Sequence, residues 1–307
     1  MHTSFAARGV IVPLLTPLAS DGAQVDEEAL RAHVAWLIAK GVHGLMPCGT
    51  TGEGPLLTHQ ERRHVLEVVV ETARHRVPVI AHVGAATTRE TIDLAQHAQA
   101  VGADAVSAVT PYYFHLPDQA LLDHYCRLAQ AVPDLPVFLY NIPQCTGNTL
   151  SPAAVEAILA RSPNVVGIKD SSGALASLSS LVGLNGGNFQ VVCGSDALLL
   201  PALQAGACAS VSGNANVFPE VVVGLFQAFW QGDLARARHQ QALLDLARLA
   251  MGDGADLALL KAMAALRGLA MGPVRAPLPP ASPQAVARCS ATLQSAGLLP
   301  SGNSHEA

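Results

Sequence analysis

The chain has 307 residues, of which 50% are apolar and only 13% charged, with a formal net charge of -5. Such a chain has material for a large core, is too apolar to be disordered, and carries no basic field for nucleic acid. No stretch reaches the roughly 18 to 20 apolar residues of a membrane span, and the start lacks a charged-then-apolar leader pattern, so a soluble cytoplasmic protein with no membrane or nucleic-acid partner is expected.

From the N-terminus, short apolar runs alternate with stretches of helical periodicity. Strands are predicted over 9–14, 44–47, 77–83, 105–109, 136–140, 165–169, 189–193 and 209–212. The helices expected after them run over 26–40, 58–74, 88–101, 117–131, 151–160, 174–184, 196–205 and 219–231. Eight strand-helix units imply parallel pairing through right-handed crossovers and close into a TIM (β/α)8 barrel. A doubly wound open sheet uses the same alternation, but the first strand-helix turn has no Gly-x-Gly-x-x-Gly, and the spacing of Gly49, Gly52 and Gly54 fits neither a dinucleotide fingerprint nor a P-loop. After 231 the strand signal stops and three helices follow, over 233–251, 256–269 and 283–296. The chain therefore divides into a catalytic barrel, 1–231, and a C-terminal helical extension, 232–307, with a Pro-rich connector at 273–283 and a frayed tail at 300–307.

The six cysteines are spread singly with no Cys-x-x-Cys pair, and the twelve histidines form neither His-Glu-x-x-His nor His-x-His. Reduced, mostly buried thiols and no resident metal are expected.

In a barrel the chemistry sits at the C-terminal ends of the strands. Strand two ends at Thr50 and Thr51, strand four at Tyr112 and Tyr113, strand five at Tyr140 and Asn141, strand six at Lys169, and strand eight at Ser212, Asn214 and Asn216. Lys169 closes the apolar run Val165-Val166-Gly167-Ile168, in a chain with three lysines against fifteen arginines. A strand-end lysine that merely reaches water is the ordinary reading. A lysine beside a tyrosine and two threonines is also a set for Schiff-base chemistry: an apolar setting favours the neutral amine that attacks a carbonyl, and the iminium then stabilises a carbanion on the adjacent carbon. A nearby tyrosine can shuttle protons, while the N-H groups and hydroxyls of a Gly-Thr-Thr-Gly loop suit a small carboxylate.

Gly49-Thr50-Thr51-Gly52-Glu53, Thr110-Pro111-Tyr112-Tyr113, Leu139-Tyr140-Asn141-Ile142-Pro143 and Gly167-Ile168-Lys169-Asp170 together resemble the successive motifs of the dihydrodipicolinate synthase / N-acetylneuraminate lyase family. The resemblance spans the chain from about Gly9 into the C-terminal helices. It implies a TIM barrel with a C-terminal helical extension and a class I aldolase-type lyase acting on pyruvate or another 2-oxo acid and an aldehyde. By that resemblance, Lys169 forms the imine, Tyr140 is the general acid/base, and Thr50 and Thr51 bind the pyruvate carboxylate, with Thr50 relaying protons. Tyr113 would be donated across a subunit interface, Val211 would line the pocket through its carbonyl, and the protein would be a homo-oligomer, dimer or tetramer. The covalent imine would need no metal or organic cofactor.

The motif after Tyr140 departs from the synthase pattern. Those enzymes carry an arginine there that grips the aldehyde's carboxylate, whereas this chain reads Gln144-Cys145-Thr146 with Cys145 in its place. Losing one charge-assisted pair in a partly buried site costs about 2 to 5 kcal/mol. Ala86 replaces the asparagine of lysine-inhibited synthases, so feedback by lysine is not expected. The second substrate expected is hydroxylated, as in aldol cleavage, condensation or dehydration of a 2-oxo-3-deoxy sugar acid, with Gln144, Cys145, Thr146, Ser195 and Asn214 as its contacts. The alternatives are 4-hydroxy-tetrahydrodipicolinate synthase, joining pyruvate and aspartate semialdehyde, and a non-catalytic barrel that binds a 2-oxo acid.

Overall fold

The computed structural model describes residues 5–253 and 256–300, so all of the expected tail beyond Pro300 lies outside the described residues. Eight strands pair in parallel: β1 (Gly9–Pro13), β2 (Gly44–Met46), β3 (Ile80–His82), β4 (Ala105–Val109), β5 (Val137–Asn141), β6 (Val165–Asp170), β7 (Gln190–Cys193) and β8 (Ala209–Val211). Their order around the sheet is β2-β1-β8-β7-β6-β5-β4-β3, and a parallel bridge from Leu45 to Val79 closes β2 onto the third segment. The architecture is the expected TIM barrel. The third strand is shorter than expected because Pro78 has no N–H for the ladder; its carbonyl still accepts from Leu45 N, at 3.0 Å.

The helices are α1 (Glu27–Ala39), α2 (His59–Ala73), α3 (Thr88–Ala100), α4 (Asp118–Ala131), α5 (Pro143–Thr146), α6 (Pro152–Leu159), α7 (Leu175–Val182), α8 (Leu199–Gln204), α9 (Pro219–Trp230), α10 (Leu234–Ala250), α11 (Leu257–Leu266) and α12 (Pro283–Ser295). Side-chain caps fix many starts: Asp26, Thr87, Ser151, Asp233, Asp256 and Ser282 each accept a third-position N–H, and Thr58 forms a full capping box with Glu61. The short helix α5 was not expected; it turns the chain directly after β5 and stops at Gly147, whose φ is 73°.

Two apolar layers result from strand alternation. Outward residues such as Val137, Leu139, Val165 and Ile168 pack under the helices. Inside the barrel lie Ile11, Met46, Ile80, Ala105, Phe138, Val192, Ala209 and Val211, with the partly buried Val166 of β6 packed against them. Beside Phe138, β6 has Gly167, because a Cβ there would run into the Phe138 ring and the Gln190 carbonyl.

The register of β6 on β5 slips by one residue: Val137 faces Val165, but Phe138 faces Gly167, leaving Val166 as an extra residue. Strict alternation from the outward Val165 would turn Lys169 outward as well. The bulge reverses the parity, so Ile168 packs outside and Lys169 stands in register with the inward Tyr140.

Helices α10 to α12 follow the barrel. Leu244, Ala247, Met251, Leu260, Met263, Cys289 and Leu293 belong to the same buried cluster as the barrel's outer layer, so the core is continuous across the turn at Gly232. The last helix takes Pro283 as its first residue, where a missing N–H costs nothing.

Candidate active site

Lys169 is 5% exposed, and its Nζ lies 3.9 Å from the centre of the Tyr140 ring. None of the ion pairs among the described residues includes it. The next residue, Asp170, is held on the other face: Asn141 Nδ2 donates to it at 3.1 Å, Ser172 N at 2.9 Å and Ser172 Oγ at 3.1 Å. The other two lysines are otherwise occupied, Lys40 over the Trp36 ring and Lys261 with Glu53.

Tyr140 is buried, and its hydroxyl lies 3.3 Å from Thr50 Oγ1. Thr50 and Thr51 sit on the tight loop after β2, where Gly52 N and Gly54 N both bond the Gly49 carbonyl. No side chain fits at Gly54, because a Cβ would meet the Cys48 carbonyl. Glu53 ends this loop with φ 57° and drives its carboxylate into the protein. There Oε1 pairs with Lys261 Nζ at 2.6 Å and Oε2 accepts Arg275 N at 2.6 Å; Lys261 also donates to the Pro273 carbonyl at 2.7 Å. Burial draws the Lys261 amine below its ordinary range while Glu53 works in the opposite direction. Arg275 in turn clasps Glu61 at the start of α2 through both terminal nitrogens, at 2.7 and 2.8 Å. The threonine loop is thereby fastened to the C-terminal extension.

Beside Tyr140 opens a cleft of about 190 Å³ lined by residues that include Thr50, His82, Tyr112, Cys145 and Thr146. Cys145 is exposed on α5, and its thiol is raised by burial against the opposing effect of Lys169. The hydroxyl of Thr146 is already engaged: it accepts from Thr110 Oγ1 at 2.9 Å and Asn148 N at 3.2 Å, and reaches the Asn148 carbonyl at 3.0 Å. Gln144 donates Nε2 to the Ser171 carbonyl at 2.8 Å, which leaves its carbonyl oxygen available. Asn214 donates to Asp196 Oδ2 at 2.6 Å, and burial raises the Asp196 carboxyl. Asn214 Oδ1 is buried without a partner among the described residues. Ser195 is half-buried just before Asp196, and Val211 is an inward residue of β8. Tyr113 stands apart from this cluster, 87% exposed with φ 83°, its ring edge-on to the 70% exposed Phe114.

His82 is a site residue that the sequence reading passed over. It ends β3 two residues after the inward Ile80, so alternation aims it into the barrel. Its ring meets that of Tyr140 edge-to-face, with centroids 5.8 Å apart. Its Nδ1 lies 3.0 Å from the Cys48 carbonyl, and its Nε2 is buried without a partner among the described residues. Burial, and then the charges of Arg62 and Lys169, hold it well below the ordinary histidine range. Arg62 is itself buried and donates to the His82 and Gly84 carbonyls at 2.9 and 3.0 Å.

Barrel, extension and an inward lysine at the mouth are together the hallmarks of an aldolase-type lyase. The chain belongs to the dihydrodipicolinate synthetase family, whose model matches residues 6–296. It is 42% identical over 291 residues to a DapA-like lyase of Halobacterium salinarum, covering 95% of this chain and 94% of that one. It is 38% identical over 299 residues to the 4-hydroxy-tetrahydrodipicolinate synthase of Methanopyrus kandleri, covering 97% and 99%. Among solved structures, YagE of E. coli K12, a prophage protein of the family crystallised with pyruvate, superposes with a TM-score of 0.90 at 33% identity, over 95% of this chain and 99% of that one. The enzyme is accordingly a lyase acting on small molecules. No described helix is long and apolar enough to cross a membrane, and no group of three or more His, Cys, Asp or Glu among the described residues is placed to hold a metal ion.

Proposed function

We propose that the enzyme makes or breaks the carbon-carbon bond between the methyl carbon of pyruvate and an aldehyde carbon through an imine on Lys169. The neutral amine adds to the 2-oxo carbon, water leaves, and the iminium draws a proton off the methyl group to give an enamine. The enamine then attacks an aldehyde, and hydrolysis returns the lysine; cleavage is the same path reversed. The chain Lys169, Tyr140 and Thr50 carries this reading, since Tyr140 touches the amine on one side and the Thr50 hydroxyl on the other. In it Tyr140 moves the protons, Thr50 and Thr51 hold the carboxylate together with loop N–H groups, and the Val211 carbonyl borders the pyruvate. Lys169 itself supplies the electron sink, so the scheme calls on no metal or organic cofactor. The exposed aromatic pair Tyr113 and Phe114 supports a homo-oligomer in which a second copy covers them and lends Tyr113 to the relay.

For the second substrate we favour a hydroxylated aldehyde, and hence a 2-oxo-3-deoxy sugar acid as the condensation product. The supporting observation is Cys145, which lines the cleft where a carboxylate-gripping arginine would be needed. A second reading, 4-hydroxy-tetrahydrodipicolinate synthase, is favoured by the names of relatives at 36–40% identity. Borohydride reduction with pyruvate tests the mechanism: mass spectrometry should find a three-carbon adduct on Lys169, and its absence there sinks the scheme. Rates with aspartate semialdehyde and with hydroxyaldehydes then separate the two substrates.

A further inference from the structure

The cleft beside Tyr140 is lined by His82, whose Nε2 the imine chemistry leaves unused. We infer that His82 Nε2 is the acceptor for a hydroxyl of the aldehyde half of the substrate, which makes His82 a specificity-determining residue. The inference rests on the Schiff-base reading of Lys169.

The tautomer follows from the neighbours. A carbonyl oxygen only accepts, so the 3.0 Å contact with the Cys48 carbonyl requires the proton on Nδ1 and leaves Nε2 with a bare lone pair. That lone pair is buried, on a residue only 6% exposed, and has no partner among the described residues. A buried acceptor left unpaired is costly, and a ligand that satisfies it recovers that cost on binding. The ring is also fixed in place: Arg62 clamps the backbone of His82 and Gly84, and the Tyr140 ring abuts the imidazole. Burial first, and then the Arg62 charge, hold the ring well below the ordinary histidine range, in keeping with a neutral tautomer that presents an acceptor at Nε2.

An acceptor discriminates sharply between the two substrate classes. A hydroxyl offers a proton to Nε2; a carboxylate offers only more lone pairs and is repelled. Together with Cys145 this leaves the cleft lining without a lysine or arginine to grip a carboxylate. Ser107, the register partner of His82 on β4, also has a buried hydroxyl without a partner, so the competing occupant is a water held between the two.

The test compares pyruvate condensation with glyceraldehyde and with propanal, its analogue lacking both hydroxyls, in the wild type, His82→Phe and His82→Gln. The pyruvate adduct on Lys169 is trapped with borohydride in each. In His82→Phe the adduct should still form, while kcat/KM falls about tenfold or more further for glyceraldehyde than for propanal. Glutamine, whose Oε1 can take the place of Nε2, should restore part of the preference. Equal losses for both aldehydes, as a water site or a packing role would give, overturn the inference. So does a wild-type glyceraldehyde-to-propanal ratio at or below one, which needs no variant to fold. Absence of any adduct in the wild type is a separate result, and it overturns the underlying Schiff-base reading.

Discussion

Tyr140 and Lys169 are register partners on adjacent strands, with the lysine nitrogen 3.9 Å from the centre of the tyrosine ring. Amine and phenol are therefore set against each other by the sheet itself rather than by a loop. In Lys169→Ala both the trapped pyruvate adduct and turnover should vanish. Tyr140→Phe keeps the ring and loses the hydroxyl, so imine formation should persist while turnover drops by about 10² to 10⁴. Single-turnover trapping beside steady-state rates separates the two; equal losses in Tyr140→Phe would make the tyrosine structural.

The extra residue in β6 gives a sharper test. Deleting Val166 removes the bulge, so that Gly167 follows the outward Val165 in strict alternation and Lys169 keeps its place opposite Tyr140. The deletion variant should retain helical circular dichroism and still form the adduct. Loss of the adduct in a folded deletion variant would show that Val166 does more than fill the slip in register.

Glu53 and Lys261 are both buried, so removing one partner strands the other's charge. Glu53→Gln or Lys261→Met should cost about 3 to 5 kcal/mol and lower Tm by on the order of 10 °C. The double variant should recover much of this, as replacing a whole buried pair usually does. KM for pyruvate should rise in the single variants, because Glu53 ends the loop that carries Thr50 and Thr51. Thermal melts and KM values check the two effects, and additive losses in the double variant would show that the residues are not coupled.

Acid should weaken the fold through buried histidines. His33 and His124 are each pushed down to about 4 by burial, against 6.5 unfolded. Above 6.5 both states are neutral and nothing is lost. Between 6.5 and about 4 the unfolded chain binds protons that the folded one refuses, so each histidine removes about 1.4 kcal/mol of stability per pH unit of descent. Urea midpoints at pH 7.5, 6.5, 5.5 and 4.5 should fall over the last two intervals, and His124→Gln should shallow the slope. A flat profile down to 4.5 would contradict the assignment.

The barrel was legible because every strand is a short apolar run followed by helical periodicity, and Lys169 and Tyr140 because strand ends are where barrel chemistry sits. His82 was equally readable: it follows the inward Ile80 by two and ends its strand. The bulge at Val166 was not, since Val165 and Val166 are both apolar and no turn residue marks the slip. The link from Glu53 to Lys261 was also hidden, because nothing local to either residue names a partner so distant in the chain. Thr146 shows the opposite limit: a hydroxyl at a promising position proved to be engaged by Thr110 and Asn148.

The clasp formed by Glu53, Lys261 and Arg275 bears on how such enzymes are recombined. A chimera that grafts the threonine loop of one relative onto the barrel of another inherits a buried carboxylate whose counter-charge lies in the last quarter of the host. Loop and C-terminal helices are one heritable unit, and crossovers placed at the apparent boundary near Gly232 cut through it.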